Sequence, residues 1–205
     1  MWSGDSSTTP DELAAAVAES AIDVICITDH STITGAARLA GELDCRVVIG
    51  QEQRTPEGEL IGLFLSERIP PGCRSAREAA LHIRLQGGLV YVPHPYDPLR
   101  HRIDAKALER LAGEGLVDLI EARNAKTSLE HLNEEAAATA RRFELAVGAG
   151  SDAHVPEAVG AAYVEVADFE DVAGFMRVLA TGRVVGHHFD SARPWRQRIV
   201  PSTHP

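Results

Sequence analysis

Apolar positions along the chain fall into short β-branched runs, separated by longer stretches in which they recur every three or four residues. That is the pattern of strands alternating with amphipathic helices. Residues 22–27 (IDVICI), 45–50 (CRVVIG), 60–65 (LIGLFL), a run from Leu89 (LVYV), 116–124 (LVDLIEARN), 144–150 (ELAVGAG) and 162–166 read as strands. Helices are predicted near 10–20, 34–41, 75–86, 105–112, 129–143 and 169–181. Thr9-Pro10-Asp11-Glu12 offers a hydroxyl N-cap, a proline at the first helical position and acids in the first turn, and Gly87-Gly88 stops the third helix. Pro56-Glu57-Gly58-Glu59 reads as a turn, and Ile69-Pro70-Pro71-Gly72 breaks the chain after the third strand. The alternation predicts an α/β fold of parallel strands with right-handed crossovers, in a barrel smaller than the eightfold one.

Ionisable residues punctuate this pattern at the strand ends. In ITDHSTITG, residues 27–35, an apolar run finishes on Thr28, Asp29 and His30. Glu52 lies just past the second strand, His94 stands between Pro93 and Pro95, Glu121 falls in the strand 116–124, and Asp152 and His154 follow the strand 144–150. Barrel-like α/β folds hold catalytic side chains at strand C-termini, so this gathering implies one shared pocket. Histidine with carboxylate, and no paired cysteines, suits a catalytic Zn, Mn or Fe site, with Mg also possible. Several carboxylates suit two cations ~4 Å apart. The plainer reading makes the same residues turn-forming acids and packing histidines.

Composition narrows the classes. The chain has 205 residues and no linker-like tract, which predicts one domain over 1–205 with an irregular tail at 187–205. Its net charge of -10 disfavours a stable nucleic-acid complex or an anionic membrane surface. Cys26, Cys45 and Cys73 are odd in number and widely spaced, as buried thiols of a reducing compartment would be. No apolar stretch reaches the ~18 residues of a spanning helix, and the opening MWSGDSSTTPDEL lacks the regions of a signal peptide, so a cytoplasmic location is expected. No dinucleotide or P-loop fingerprint is present. Leu60, Leu63 and Leu65 read as core, His82 and His131 as helix-surface or packing residues, and His187 and His188 as part of the tail after a strand-like TGRVVG.

ITDHSTITG, the Glu52 turn, VPHP around His94 and GSDAH at 150–154, in that order, resemble the PHP (polymerase and histidinol phosphatase) domain. The resemblance is to its small stand-alone metal-dependent phosphoesterase branch and runs from about Ser3 to Gly186. It implies a distorted seven-stranded (β/α) barrel with two or three divalent metal ions, ligated by His30, Glu52, His94, Asp152 and His154. Glu59 stands where many relatives carry a ligating histidine, and Glu121 is a further candidate ligand. PHP domains open with a strand ending in His-x-His, followed by a Ser-x-Asp loop. Here Trp2-Ser3-Gly4-Asp5-Ser6 resembles that loop, which adds Asp5 to the candidate ligands, while the strand itself is missing from the sequence. Either Met1 is an internal methionine of a longer protein, or the protein lacks the strand and has a depleted site. Loss of an interior strand would leave two unpaired edges, which favours the longer protein.

The activity implied is hydrolysis of a phosphate ester by a metal-activated water whose pKa falls from ~16 toward ~7. His30, Glu52, Asp152 and His154 would hold the cluster, His94 would complete a second metal, and Asp29 would orient a ligand from behind. Asp29, His30, Asp152 and His154 form the expected catalytic set. Arg100, Arg102, Arg123 and His101 are expected to bind the substrate, a small phosphorylated metabolite or nucleotide, because arginine pairs bidentately with phosphate. A solvated surface is the competing reading for the arginines. Two rival functions stand: an amidohydrolase-like metal hydrolase, and a non-catalytic metal-binding relative, the latter motivated by the missing His-x-His.

Overall fold

The computed structural model describes residues 3–20 and 22–189. Six strands form one curled sheet in chain order: β1 (Val24–Ile27), β2 (Arg46–Thr55), β3 (Gly58–Leu63), β4 (Leu89–Val92), β5 (Leu119–Asn124) and β6 (Ala146–Gly150). The pairs β1–β2, β4–β5 and β5–β6 are parallel. Helices α1 (Pro10–Ser20), α2 (Thr34–Leu39), α3 (Ala76–Leu85), α4 (Ala105–Gly113), α5 (Glu130–Phe143) and α6 (Val172–Leu179) lie between or after them. A separate antiparallel pair, β7 (Ala162–Glu165) and β8 (Arg183–Gly186), follows. The result is a half-barrel whose described edges are β1 and β6.

The expectation of parallel strands throughout fails at β3, which is antiparallel to both β2 and β4. Only Pro56 and Glu57 separate β2 from β3, too few residues for a crossover. Thr55 closes this hairpin, its Oγ1 donating to Gly58 O at 2.7 Å, and Gly58 takes the positive φ of 113° that the turn requires. The predicted strand 45–50 therefore continues through Gln51–Thr55, and the predicted turn residue Glu59 lies inside β3. Polar residues extend the strand because they satisfy one another in the interior. Gln51 Nε2 donates to Gln53 Oε1 at 2.9 Å, and Gln51 Oε1 accepts from Ile69 N at 3.1 Å.

Strands β3 to β5 bury both faces by alternation. Leu60, Val90, Val92 and Ile120 pack outward against Ile83 of α3 and Leu108 and Leu111 of α4. Ile61, Leu63, Leu89, Tyr91 and Leu119 point the other way, toward Phe169 and the α6 residues Phe175 and Leu179. Each fully buried aliphatic side chain here contributes about 1.5–3 kcal/mol of transfer free energy. Strand β1, expected to be buried on both faces, is instead an edge strand, and Cys26 is exposed. Cys45 is half-buried and only Cys73 is buried, all three as free thiols, so the reading of three buried thiols holds for one.

At the helix starts, Thr9 forms the expected cap, with Glu12 N donating to Thr9 Oγ1 at 3.3 Å and Thr9 N to Glu12 Oε2 at 2.8 Å. Of the expected tail, residues 187–189 dock on the domain, with His187 N bonded to Ala161 O and Phe189 N to Ala125 O. The remainder lies outside the described residues. Among the described residues no helix is long and apolar enough to cross a membrane.

Candidate functional site

Two constructions bring the donors together. On the β1–β2 side, a parallel bridge joins His30 to Glu52, and Ser31 N donates to Glu52 O at 2.9 Å. Within the hairpin Glu52 pairs with Ile61 and Arg54 with Glu59, so the two-residue period places both glutamates on one face. On the parallel side the donors lie past the strand ends in unusual backbone. His94 has φ 29° between its two prolines, and Asp152 has φ 48°. Such left-handed non-glycine residues cost about 1–3 kcal/mol each and persist only when neighbours hold them. His94 N donates to Glu121 Oε2 at 2.7 Å, and the loop of Asp152 is held through Ser7 N, which donates to His154 O at 2.9 Å.

The geometry brings metal-competent side chains together. His30 Nδ1 lies 3.4 Å from Glu52 Oε2 and 3.9 Å from Glu59 Oε1, and these three residues form a metal-competent group. His94 Nε2 lies 3.4 Å from the other Glu52 oxygen and 3.8 Å from Glu59 Oε2. Asp5 Oδ2 stands 3.0 Å from His30 Nε2 and 3.4 Å from His154 Nε2, while His154 Nδ1 is 3.4 Å from Asp152 Oδ1. Donors held ~2.1 Å from one cation sit ~3–3.5 Å from each other, close to these separations. Asp29 Oδ2, His30 Nδ1, His94 Nδ1 and Asp152 Oδ2 are buried without hydrogen-bond partners, which is costly unless a cation or ligand satisfies them. The donor set therefore fits divalent metal ions.

Protons take up the excess negative charge where a cation would sit. Burial works against a charged His94, but the carboxylates Glu52, Glu121 and Asp152 outweigh it and raise its pKa to about 9. Asp5 raises the pKa of His30, and does the same for His154 against burial. His154 and His30 in turn hold the Asp5 carboxyl well below its ordinary range. Burial pushes Glu121 up to about 7 and also raises Asp29.

The remaining expected residues divide. Arg100 joins the site, its Nη2 3.7 Å from Asp152 Oδ2. Arg123 is paired with Glu130, and Arg102 and His101 are exposed. That loop serves the site through its backbone, His101 O accepting from Glu59 N at 3.1 Å. Glu121 is buried behind His94, its Oε2 also accepting from Asn124 Nδ2 at 2.9 Å. Glu59 is shared with Arg54, whose Nε lies 2.7 Å from Glu59 Oε1.

Two residues were missed. Ser3 accepts from His30 N at 3.3 Å and donates to Asp5 Oδ1 at 2.7 Å. Lys126 Nζ lies 3.0 Å from His154 Nδ1, and burial lowers its pKa. Its signal is its place two residues past the end of β5, a strand-end position like those of the other site residues.

Beneath the donors a cavity of about 340 Å³ opens between β1 and the β6–β7 side. Cys26, Ile61, Tyr91 and Leu119 line it, together with the donors His30, Glu52 and His94 and with Phe169, Phe175 and Leu179. Cys26 lines this cavity with its side chain exposed.

A family described as PHP-associated matches residues 130–184. Two uncharacterized proteins of Methanocaldococcus jannaschii are similar in sequence. MJ1587 is 45% identical over 98 residues, covering 46% of this chain and 57% of that protein. MJ0417 is 38% identical over 121 residues, covering 58% and 51%. The chain thus spans little more than half the length of the curated relatives it matches. In structure it is similar to a two-domain protein of Bacteroides vulgatus assigned a PHP-like metal-dependent phosphoesterase, with TM-score 0.70 and 18% identity over 91% of this chain and 62% of that one. An assigned metal-dependent phosphoesterase of Bifidobacterium adolescentis follows, with TM-score 0.62 and 15% identity over 86% of this chain and 92% of that one. An amidohydrolase of Chromobacterium violaceum with bound sulfate has TM-score 0.59 and 18% identity over 89% and 94%. The half-barrel with its donors at the strand ends gives this chain the fold of these structures, and its residues 130–184 match the PHP-associated family.

Proposed function

We propose that the chain is a metal-dependent phosphoesterase, working as a single cytoplasmic domain on a small phosphorylated metabolite or nucleotide. The observation that carries the reading is Glu52, whose two oxygens face different histidines, His30 and His94, each at 3.4 Å. A carboxylate so placed can bridge two cations, and two or three of Zn, Mn, Fe or Mg are accommodated by His30, Glu52, Glu59, His94, Asp5, Asp152 and His154. Bound there, such ions would acidify a water and offset charge on the phosphoryl oxygens.

The chain's own groups do the positioning. The Asp152 carbonyl, 2.8 Å from His154 Nδ1, would accept a hydrogen bond from that nitrogen and so leave the Nε2 lone pair for a metal. Glu121 fixes the His94 backbone, and Asp29 supports His30 from the buried side. Arg100 meets the phosphoryl group beside Asp152.

The amidohydrolase likeness supports a second reading, metal-assisted cleavage of a C–N bond. The test is to strip the protein of metal, restore Mn or Zn, and assay an aryl phosphate beside an aryl amide. Metal-dependent phosphate release is expected. Amide cleavage alone would favour the second reading. Metal binding without either activity would make the protein a non-catalytic relative.

A further inference from the structure

Two positive charges of the site come from different loops and converge on one oxygen. Arg100 Nη2 lies 3.7 Å and Lys126 Nζ 4.0 Å from Asp152 Oδ2. The loops are fastened to each other, since Thr127 Oγ1 donates to the buried Asp97 Oδ2 at 2.9 Å. Arg100 Nε is buried with no acceptor, and Asp152 Oδ2 has no hydrogen-bond partner. A guanidinium N–H buried in this way destabilises the site unless an incoming acceptor reaches it.

Lys126 is poised similarly. Its close neighbour, His154 Nδ1, also lies 2.8 Å from Asp152 O. One ring nitrogen cannot accept from an ammonium and donate to a carbonyl at once. His154 Nδ1 therefore satisfies at most one of these two neighbours, and Lys126 Nζ keeps Asp152 Oδ2 within 4.0 Å. Its loop is nevertheless fixed: Lys126 N donates to Asn124 Oδ1 at 2.8 Å, and Ala125 O accepts from Phe189 N at 2.8 Å and lies 2.9 Å from His188 Nδ1.

We propose that Lys126 and Arg100 form a two-cation clamp for the terminal phosphoryl group of a phosphomonoester, each taking one non-bridging oxygen while the third faces the histidine and carboxylate donors. The proposal rests on the phosphoesterase reading and narrows it from phosphate esters in general to monoesters. A monoester terminus carries close to two negative charges and three free oxygens, against one charge and two free oxygens for a diester, so two fixed cations favour the monoester.

The test uses metal-reconstituted protein, with inorganic phosphate as the binding probe and matched aryl mono- and diesters as substrates. Lys126→Met and Arg100→Met should each weaken phosphate binding about tenfold or more and raise KM for the monoester, with metal content unchanged. They should also narrow the preference for monoester over diester. Lys126→Arg should stay within about threefold of the parent. Unchanged phosphate affinity in both methionine variants would overturn the clamp, as would a parent protein that does not bind phosphate. Loss of metal in Lys126→Met, unrescued by Lys126→Arg, would make Lys126 a support for His154 and overturn it too. Phosphate binding that depends on Lys126, without ester hydrolysis, would leave the clamp standing and sink the phosphoesterase reading. Hydrolysis indifferent to Lys126 would do the reverse.

Discussion

The β2–β3 hairpin and the parallel strands β4–β6 reach the same pocket by different physical means. In the hairpin, Glu52 and Glu59 sit within a regular ladder, opposite Ile61 and Arg54, and register alone aims them. A slip of one residue would replace them with Gln53 and Leu60, so the buried Gln51–Gln53–Ile69 network that pins the register also protects the site. In the parallel arm, His94 and Asp152 occupy left-handed backbone beyond strand ends, and their placement depends on contacts such as His94 N to Glu121. Ladder-borne donors should therefore tolerate changes around them, while loop-borne donors should respond to their supports.

The largest effect is expected where a donor itself is removed. His30→Ala or His154→Ala should cost at least about 100-fold in turnover and release bound metal, measured by metal analysis beside an aryl phosphate assay. Full turnover in His154→Ala would remove the site assignment. Within the hairpin, Glu52→Gln should weaken metal binding by about 10–100-fold, because both oxygens face imidazoles. Glu59→Gln should cost less, since Glu59 is shared with Arg54. Equal losses on metal titration would erase the distinction between a bridging and a flanking carboxylate.

A change outside the donors sharpens the contrast. A Cβ on Gly150 would stand 2.3 Å from Glu121 Oε1, so Gly150→Ala must displace the carboxylate that holds the His94 backbone. A destabilisation of about 1–3 kcal/mol with a several-fold loss of turnover is expected by thermal melting and assay. Unchanged activity would show that His94 does not need this support.

The smallest effect concerns pH in the metal-free protein. His94, raised to about 9 from an ordinary 6.5, contributes stability that is complete below pH 6.5 and lost as pH climbs through 9. Glu121, raised to about 7 from 4.5, acts in the same direction over its own range. Asp5, held low, contributes stability above pH 3.8 that is lost in acid. The melting temperature without metal should thus decline from pH 6.5 to 9, and added metal should flatten the decline by replacing the protons. A flat metal-free profile would contradict the charge arrangement.

Much of the site was legible because ionisable residues end apolar runs at His30, His94, Asp152 and His154, where no packing purpose demands them. The hairpin was not, because Gln51–Thr55 is polar in sequence yet strand in the fold, and side-chain pairing in the interior leaves no trace in apolar periodicity. Neighbours in sequence also part in space, with Arg100 beside Asp152 and Arg102 exposed two residues later. Lys126 escaped notice because its partner His154 is 28 residues away.

The central claim is that these donors hold metal for phosphate-ester hydrolysis. Titrating metal-free protein with Mn while following phosphate release from an aryl phosphate tests it most directly. The account predicts release that rises with metal and saturates at two or more equivalents per chain. A protein that binds two equivalents and releases no phosphate would contradict it.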